Sequence, residues 1–213
     1  KNTMQGVNGI VNASVGTQDK YRSDITLNYR TEKFNFFVGA DWRDENNRGN
    51  IVSTRESFLG DTTNYLESNG YRDFNRSGHN FKTGVDLYLS DKTTATISGE
   101  FGKSGNDRSG GGNTHEYTLP KSEDIFSVNE EVSQRGNDFY NLNFNLQHNF
   151  KKKGHKIETS LYYSDQDELN TTEESDLYAD EYYNKTQDYL VRIKSTEEEK
   201  QNDFRFNADY TLP

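Results

Sequence analysis

The chain has 213 residues, carries a formal net charge of -10 from 35 Asp and Glu against 25 Lys and Arg, and is only 30% hydrophobic. The acidic balance excludes the basic footprint of a nucleic-acid-binding domain, the absence of cysteine excludes disulfides and thiolate metal sites, and no run of eighteen apolar residues exists to cross a membrane as a helix. Low hydrophobicity alone would suggest disorder, but 14 Tyr, 13 Phe and only two Pro point to sheet.

Alternation of apolar and polar residues, which sorts side chains to the two faces of a strand, marks eight segments. Residues 6–16 set Val7, Val11 and Val15 against Asn8, Asn12 and Ser14. After a short polar connection, 24–30 set Ile25, Leu27 and Tyr29 against Asp24, Asn28 and Arg30. A turn at 31–32 leads to 33–43, with Phe34, Phe36, Val38, Ala40 and Trp42 on one parity and Asn35, Asp41 and Arg43 on the other. Residues 44–79 lose the period and read as a long loop. The pattern returns at 81–89 with Val85 and Leu87 against Asp86, turns at 90–92, and continues over 93–101 with Ile97 and Phe101 against Glu100. A second loop is expected over 103–137, with Ser109 to Asn113, a glycine-rich run, as its most flexible part.

The clearest hairpin follows. Tyr140, Leu142, Phe144 and Leu146 alternate with asparagines and Gln147, the Lys-Lys-Lys-Gly turn occupies 151–154, and Ile157 and Leu161 alternate with Glu158. A third loop, strongly acidic, is expected over 164–202, with Tyr189, Val191 and Ile193 hinting at a strand extension. Residues 203–212 close the chain, with Phe204 and Phe206 against Arg205 and Asp209.

The tight turns at 31–32, 90–92 and 151–154 alternate with the long loops, so in an antiparallel meander they fall at opposite ends. That sorting, and a polar face on every strand, favour an all-β, antiparallel up-and-down transmembrane β-barrel over a soluble sandwich. The tight turns are then periplasmic and the loops extracellular. Ile25, Leu27, Phe34, Phe36, Val38, Trp42, Val85, Leu87, Ile97, Leu142, Phe144, Leu146, Ile157, Leu161, Phe204 and Phe206 are expected to face lipid. Asp24, Arg30, Asp41, Arg43, Asp86, Glu100, Glu158, Arg205 and Asp209 are expected to face a lumen.

No catalytic arrangement emerges, and no enzyme activity, cofactor or metal is expected. Asp165, Asp167 and Glu168 lack the glycine and further ligand of a calcium loop. His79, His115, His148 and His155 have no zinc-ligand spacing, and Gly110 to Gly112 do not open a phosphate-binding helix. The acidic residues from Glu173 to Glu181 and Glu197 to Glu199 read as a solvated segment. Tyr65, Tyr71, Phe74, Tyr117, Tyr178, Tyr182 and Tyr183 are candidates to stack on a ligand at the outer mouth, or to pack the loops together.

Four runs carry a family resemblance: Gly-Val-Asn-Gly-Ile-Val-Asn-Ala-Ser-Val-Gly-Thr-Gln-Asp-Lys-Tyr from Gly6, Leu-Asn-Tyr-Arg-Thr-Glu-Lys-Phe-Asn-Phe-Phe-Val-Gly-Ala-Asp-Trp-Arg from Leu27, Asn-Asn-Arg-Gly from Asn46, and the closing Phe-Asn-Ala-Asp-Tyr-Thr-Leu-Pro. They resemble the barrel of TonB-dependent outer-membrane receptors, most of all the Bacteroidetes-type outer-membrane β-barrel family. The resemblance implies that these strands are the N-terminal part of a barrel of about 22 strands, entered after a plug domain. It implies a receptor or transporter in a Gram-negative outer membrane, taking up a nutrient of the glycan, siderophore or peptide class by a TonB-dependent mechanism. The implied partners are outer-membrane lipid, the rest of the barrel, the plug, TonB and a surface lipoprotein. A small eight-stranded anchoring or adhesion barrel and a soluble glycan-binding β-sandwich are the alternatives.

Overall fold

The computed structural model describes residues 5–120 and 124–213. Eight antiparallel strands lie in one sheet in chain order: β1 (Gly6–Gly16), β2 (Lys20–Arg30), β3 (Phe34–Leu59), β4 (Thr62–Ser90), β5 (Thr93–Leu119), β6 (Asp124–Asn149), β7 (Lys156–Ala179) and β8 (Lys185–Thr211). Every strand pairs with its neighbour in sequence, and β1 and β8 remain unpaired margins, so the sheet is open and does not close on its eight strands.

The tight connections at 31–33, 91–92 and 150–155 share one end. At the first, the Phe34 amide donates to the Thr31 hydroxyl oxygen at 3.0 Å and the Thr31 amide to the Phe34 carbonyl at 2.8 Å. At the third, Gly154 supplies the positive φ of 83° that the turn demands.

The three expected loops are the main correction. Residues 44–79 are the distal halves of β3 and β4, joined by a two-residue turn at Gly60 and Asp61 with Leu59 opposite Thr62. Residues 103–137 form the distal halves of β5 and β6, apart from 121–123, which lie outside the described residues. Residues 164–202 form the distal halves of β7 and β8, so the brief alternation at Tyr189 to Ile193 does extend a strand. Loss of an apolar period did not end the strands, because the backbone ladder persists under polar cross-strand pairs. Asn75 Nδ2 donates to Asp44 at 3.0 Å and to Asn46 at 2.8 Å, Asn64 donates to Glu116 at 2.7 Å, and Arg135 meets Glu168 at 2.6 Å. The glycine-rich run lies inside β5, paired on both sides.

The tip between β7 and β8 is held by Asp180. Its Oδ1 accepts the amides of Tyr182 and Asn184 at 2.9 Å each, and its Oδ2 accepts the Asn184 side-chain amide at 2.8 Å. The Asn184 side-chain bond, with the backbone bonds behind it, holds the Asp180 carboxyl below its ordinary range. A depressed carboxyl stabilises the tip fully above the unfolded Asp value of about 3.9, and that contribution is lost as pH falls through the lower folded value. Amide exchange at Tyr182 and Asn184 is expected to stay slow at pH 5 and to accelerate in acid below the ordinary Asp range. Asp180→Asn is expected to flatten that dependence.

No second layer covers the sheet. Among the described residues only Ala95 and Val128 are buried apolar side chains. The accessible surface is 15025 Å², against roughly 10,000 Å² for a compact monomer of this mass. The apolar face of the sheet carries no second layer among the described residues.

Candidate functional site: a sloping apolar band and an arginine-rich polar face

Directly opposed residues of antiparallel strands share a face, so the register assigns each side chain to one of two surfaces. Phe36, Val85, Ile97, Phe144, Leu161 and Phe206 form one unbroken cross-strand row, continued by Tyr29 on β2 and Val7 on β1. The neighbouring row runs Phe34, Leu87, Ala95, Leu146, Thr159 and Ala208. All sixteen residues expected to face lipid fall on this apolar face, and all nine expected to face a lumen fall on the opposite, polar face. The latter include Asp24 opposite Asp41, Arg30 opposite Asn35, and Glu158 opposite Asp209.

Asp86 anchors the polar face of β3 to β5, accepting from Asn35 Nδ2 at 3.0 Å and from the Thr96 hydroxyl at 2.8 Å. Glu100 accepts from Asn80 at 2.6 Å.

The apolar band has aromatic borders. At the turn end, Tyr29 meets Phe34 edge-on at 5.9 Å, and Phe150 stacks on His155 at 4.0 Å beside Tyr210. At the distal end the border is Tyr21, Trp42, Phe81, Phe101, Tyr140, Tyr163 and Phe204, one residue per strand from β2 to β8. No Asp, Glu, Lys or Arg occupies the apolar parity between the two borders, and the exception there is His148, hydrogen-bonded to the Thr93 hydroxyl at 2.8 Å near the turn. The charge begins immediately beyond, with Lys103 and Asp138 at 2.7 Å and Lys200 and Asp167 at 3.6 Å.

The distal border is oblique to the hydrogen-bonded rows. Tyr21 is opposite Asp44, two residues beyond Trp42; Phe81 is opposite Ala40, two residues short of Trp42; Phe101 and Tyr140 keep Phe81's row. Tyr163 is opposite Leu142, a further two residues short, and Phe204 keeps that row. The border thus recedes by 2 + 2 + 2 residues over the six steps from β2 to β8. At about 3.4 Å per residue and 4.8 Å per strand, that slope is about 35°. A level band therefore requires strands tilted by about 35°, the inclination of strands in outer-membrane barrels. On β3 the band runs from Phe34 to Trp42, which on such a tilt is about 22 Å high, close to the apolar belt of about 25 Å on those barrels.

Beyond the band, the polar face gathers arginine. Of eleven arginines, all but Arg48 and Arg192 share its parity, and Arg43, Arg72, Arg76 and Arg108 crowd onto β3, β4 and β5. The Arg76 and Arg108 guanidiniums lie 4.8 and 5.9 Å from the centre of the Phe74 ring. The acids Glu168, Glu174, Glu197 and Glu199 occupy the same face on β7 and β8.

Most of the candidate stacking aromatics pack against neighbours within the sheet. Tyr65 stacks on Tyr117 at 5.0 Å, and His115 on Phe126 at 4.2 Å, with Tyr183 edge-on to Phe126 at 5.7 Å. Tyr71 covers Gly111, and Tyr182 projects into solvent. Neither the arginine group nor the His115 and Phe126 stack was legible as a site while their segments read as loops. The Gly60-Asp61 pair, flanked by Phe58, Leu59, Thr62 and Thr63, is the two-residue turn signal that could have revealed the longer strands. No protein-family model and no curated protein matches the chain.

Proposed function

We propose that the chain forms part of the wall of an outer-membrane receptor or transporter barrel of the TonB-dependent kind, its apolar band against lipid and its polar face toward a lumen. The observation that carries this reading is the slope of the aromatic border. A soluble sheet packed on a second layer has no reason to keep charge off one face only within a belt inclined at the angle of barrel strands. The unpaired margins support a larger barrel over one closed on eight strands, since outer-membrane barrels abolish edges. The TonB-dependent assignment rests on the resemblance of the runs from Gly6 and Leu27, and the cargo would be a nutrient captured by the distal hairpins.

Fractionation of cells expressing the full-length protein tests the reading. Recovery with outer membranes, released only by detergent, is the expected result. Recovery in the soluble fraction without detergent sinks the proposal.

A further inference from the structure

We infer that the polar face of β3 to β5, just beyond the apolar band, is a binding site for a ligand carrying more than one oxyanion group, carboxylate or phosphate. The inference rests on the reading of this face as the lumen side and narrows the cargo class.

Four observations carry it. Arg43, Arg72 and Arg76 lie on adjacent strands of one face, and none is paired with a carboxylate among the described residues. Glu45, the acid directly opposite Arg76, is taken by Arg22 at 3.0 Å. Phe74 lies beside the Arg76 and Arg108 guanidiniums, a ring contact that leaves the N–H edge of Arg76 free to grip an oxyanion in bidentate fashion. Beside them is a hollow of 220 Å³ floored by Gly70, Gly110 and Gly112, with Arg72 and Glu131 in its wall.

The floor is glycine by necessity. A Cβ at Gly70 would lie 2.4 Å from the Gly111 carbonyl oxygen, and one at Gly112 would lie 2.5 Å from that of Asn69. The concavity is therefore built into the backbone. Arg72 and Arg76 are four residues apart on one strand, about 13 Å along it, a separation that suits an elongated ligand with repeated acidic groups. Glu131 is the one carboxylate lining the hollow, 3.7 Å from Arg108, and an incoming oxyanion displaces it from that guanidinium. The acids on β7 and β8 repel the same ligand and confine it to the arginine side.

Calorimetric titration of the full-length protein in detergent tests this, with tripolyphosphate and trigalacturonate as probes and maltotriose as the neutral control. Saturable binding of at least one oxyanion probe, weakening with added salt, is expected, with maltotriose silent; which probe binds assigns the source as phosphate or carboxylate. Arg76→Gln with Arg108→Gln is expected to weaken binding at least tenfold, and Arg76→Lys to weaken it less. Arg48→Gln, on the opposite face, is expected to leave it unchanged, and circular dichroism confirms that each variant folds. Binding of neither probe, or equal binding by the double variant, overturns the inference. An outer-membrane protein that binds neither probe loses the site and keeps the proposed function; a soluble protein that binds does the reverse.

Discussion

Phe144→Arg is expected to destabilise the folded protein in lipid by about 2–4 kcal/mol, the cost of an arginine near the midplane of a barrel's lipid face. Phe144 sits between Ile97 and Leu161 in the middle of the apolar band, so its replacement cannot reach water at either border without displacing the row. The neighbouring Asn145→Arg changes the same strand by the same charge on the polar face and is expected to be near neutral. Denaturant unfolding of the full-length protein in lipid bilayers measures both. Equal effects at the two positions would mean that the faces are not in different solvents, and the membrane reading would fail with them.

Gly70→Ala is expected to be the most damaging change in the distal sheet. The added methyl would have to share space with the Gly111 carbonyl, a backbone atom that cannot swing aside as a side-chain tip can. Overpacking of this kind costs about 1–3 kcal/mol, and because the clash falls on the β4–β5 ladder, it is expected to open that ladder locally. Hydrogen exchange over the distal parts of β4 and β5 reports it. Gly136→Ala, where an added Cβ meets nothing within 4 Å, is the matched control and is expected to leave exchange unchanged.

The legible part of the fold is the part where the two faces of the sheet differ in polarity. Between Phe34 and Trp42, or between Tyr140 and His148, one face is apolar and the other polar, and the period of two gave strand, face and partner at once. Beyond Trp42 both faces are largely polar. Asn75 and Asp44 serve the ladder as well as Leu27 and Val38 do, but they leave no hydrophobic period to read, so 44–79, 103–137 and 164–202 read as loops in the sequence. The glycine run at Ser109 to Asn113 misled for a related reason. Glycine signals flexibility when nothing approaches it, and here backbone atoms of both neighbouring strands lie where a Cβ would go. The arginine group was hidden by the same error, since residues as distant in sequence as Arg43 and Arg108 become neighbours only once the strands run through.

The sheet's two margins are of unequal length. β8 presents 27 residues and β1 presents 11, so a direct seam between them would leave 27 - 11 = 16 residues of β8 with one side of their backbone bare. Head-to-tail stacking of copies, β8 against β1, meets the same mismatch at every joint, which makes that arrangement a poor template for polymerisation. The long margin can be matched only by a strand about as long as itself. The short one, with β2, makes a low side of the sheet, above which the distal hairpin of β3 and β4 stands with its outermost pairs unsupported on that side.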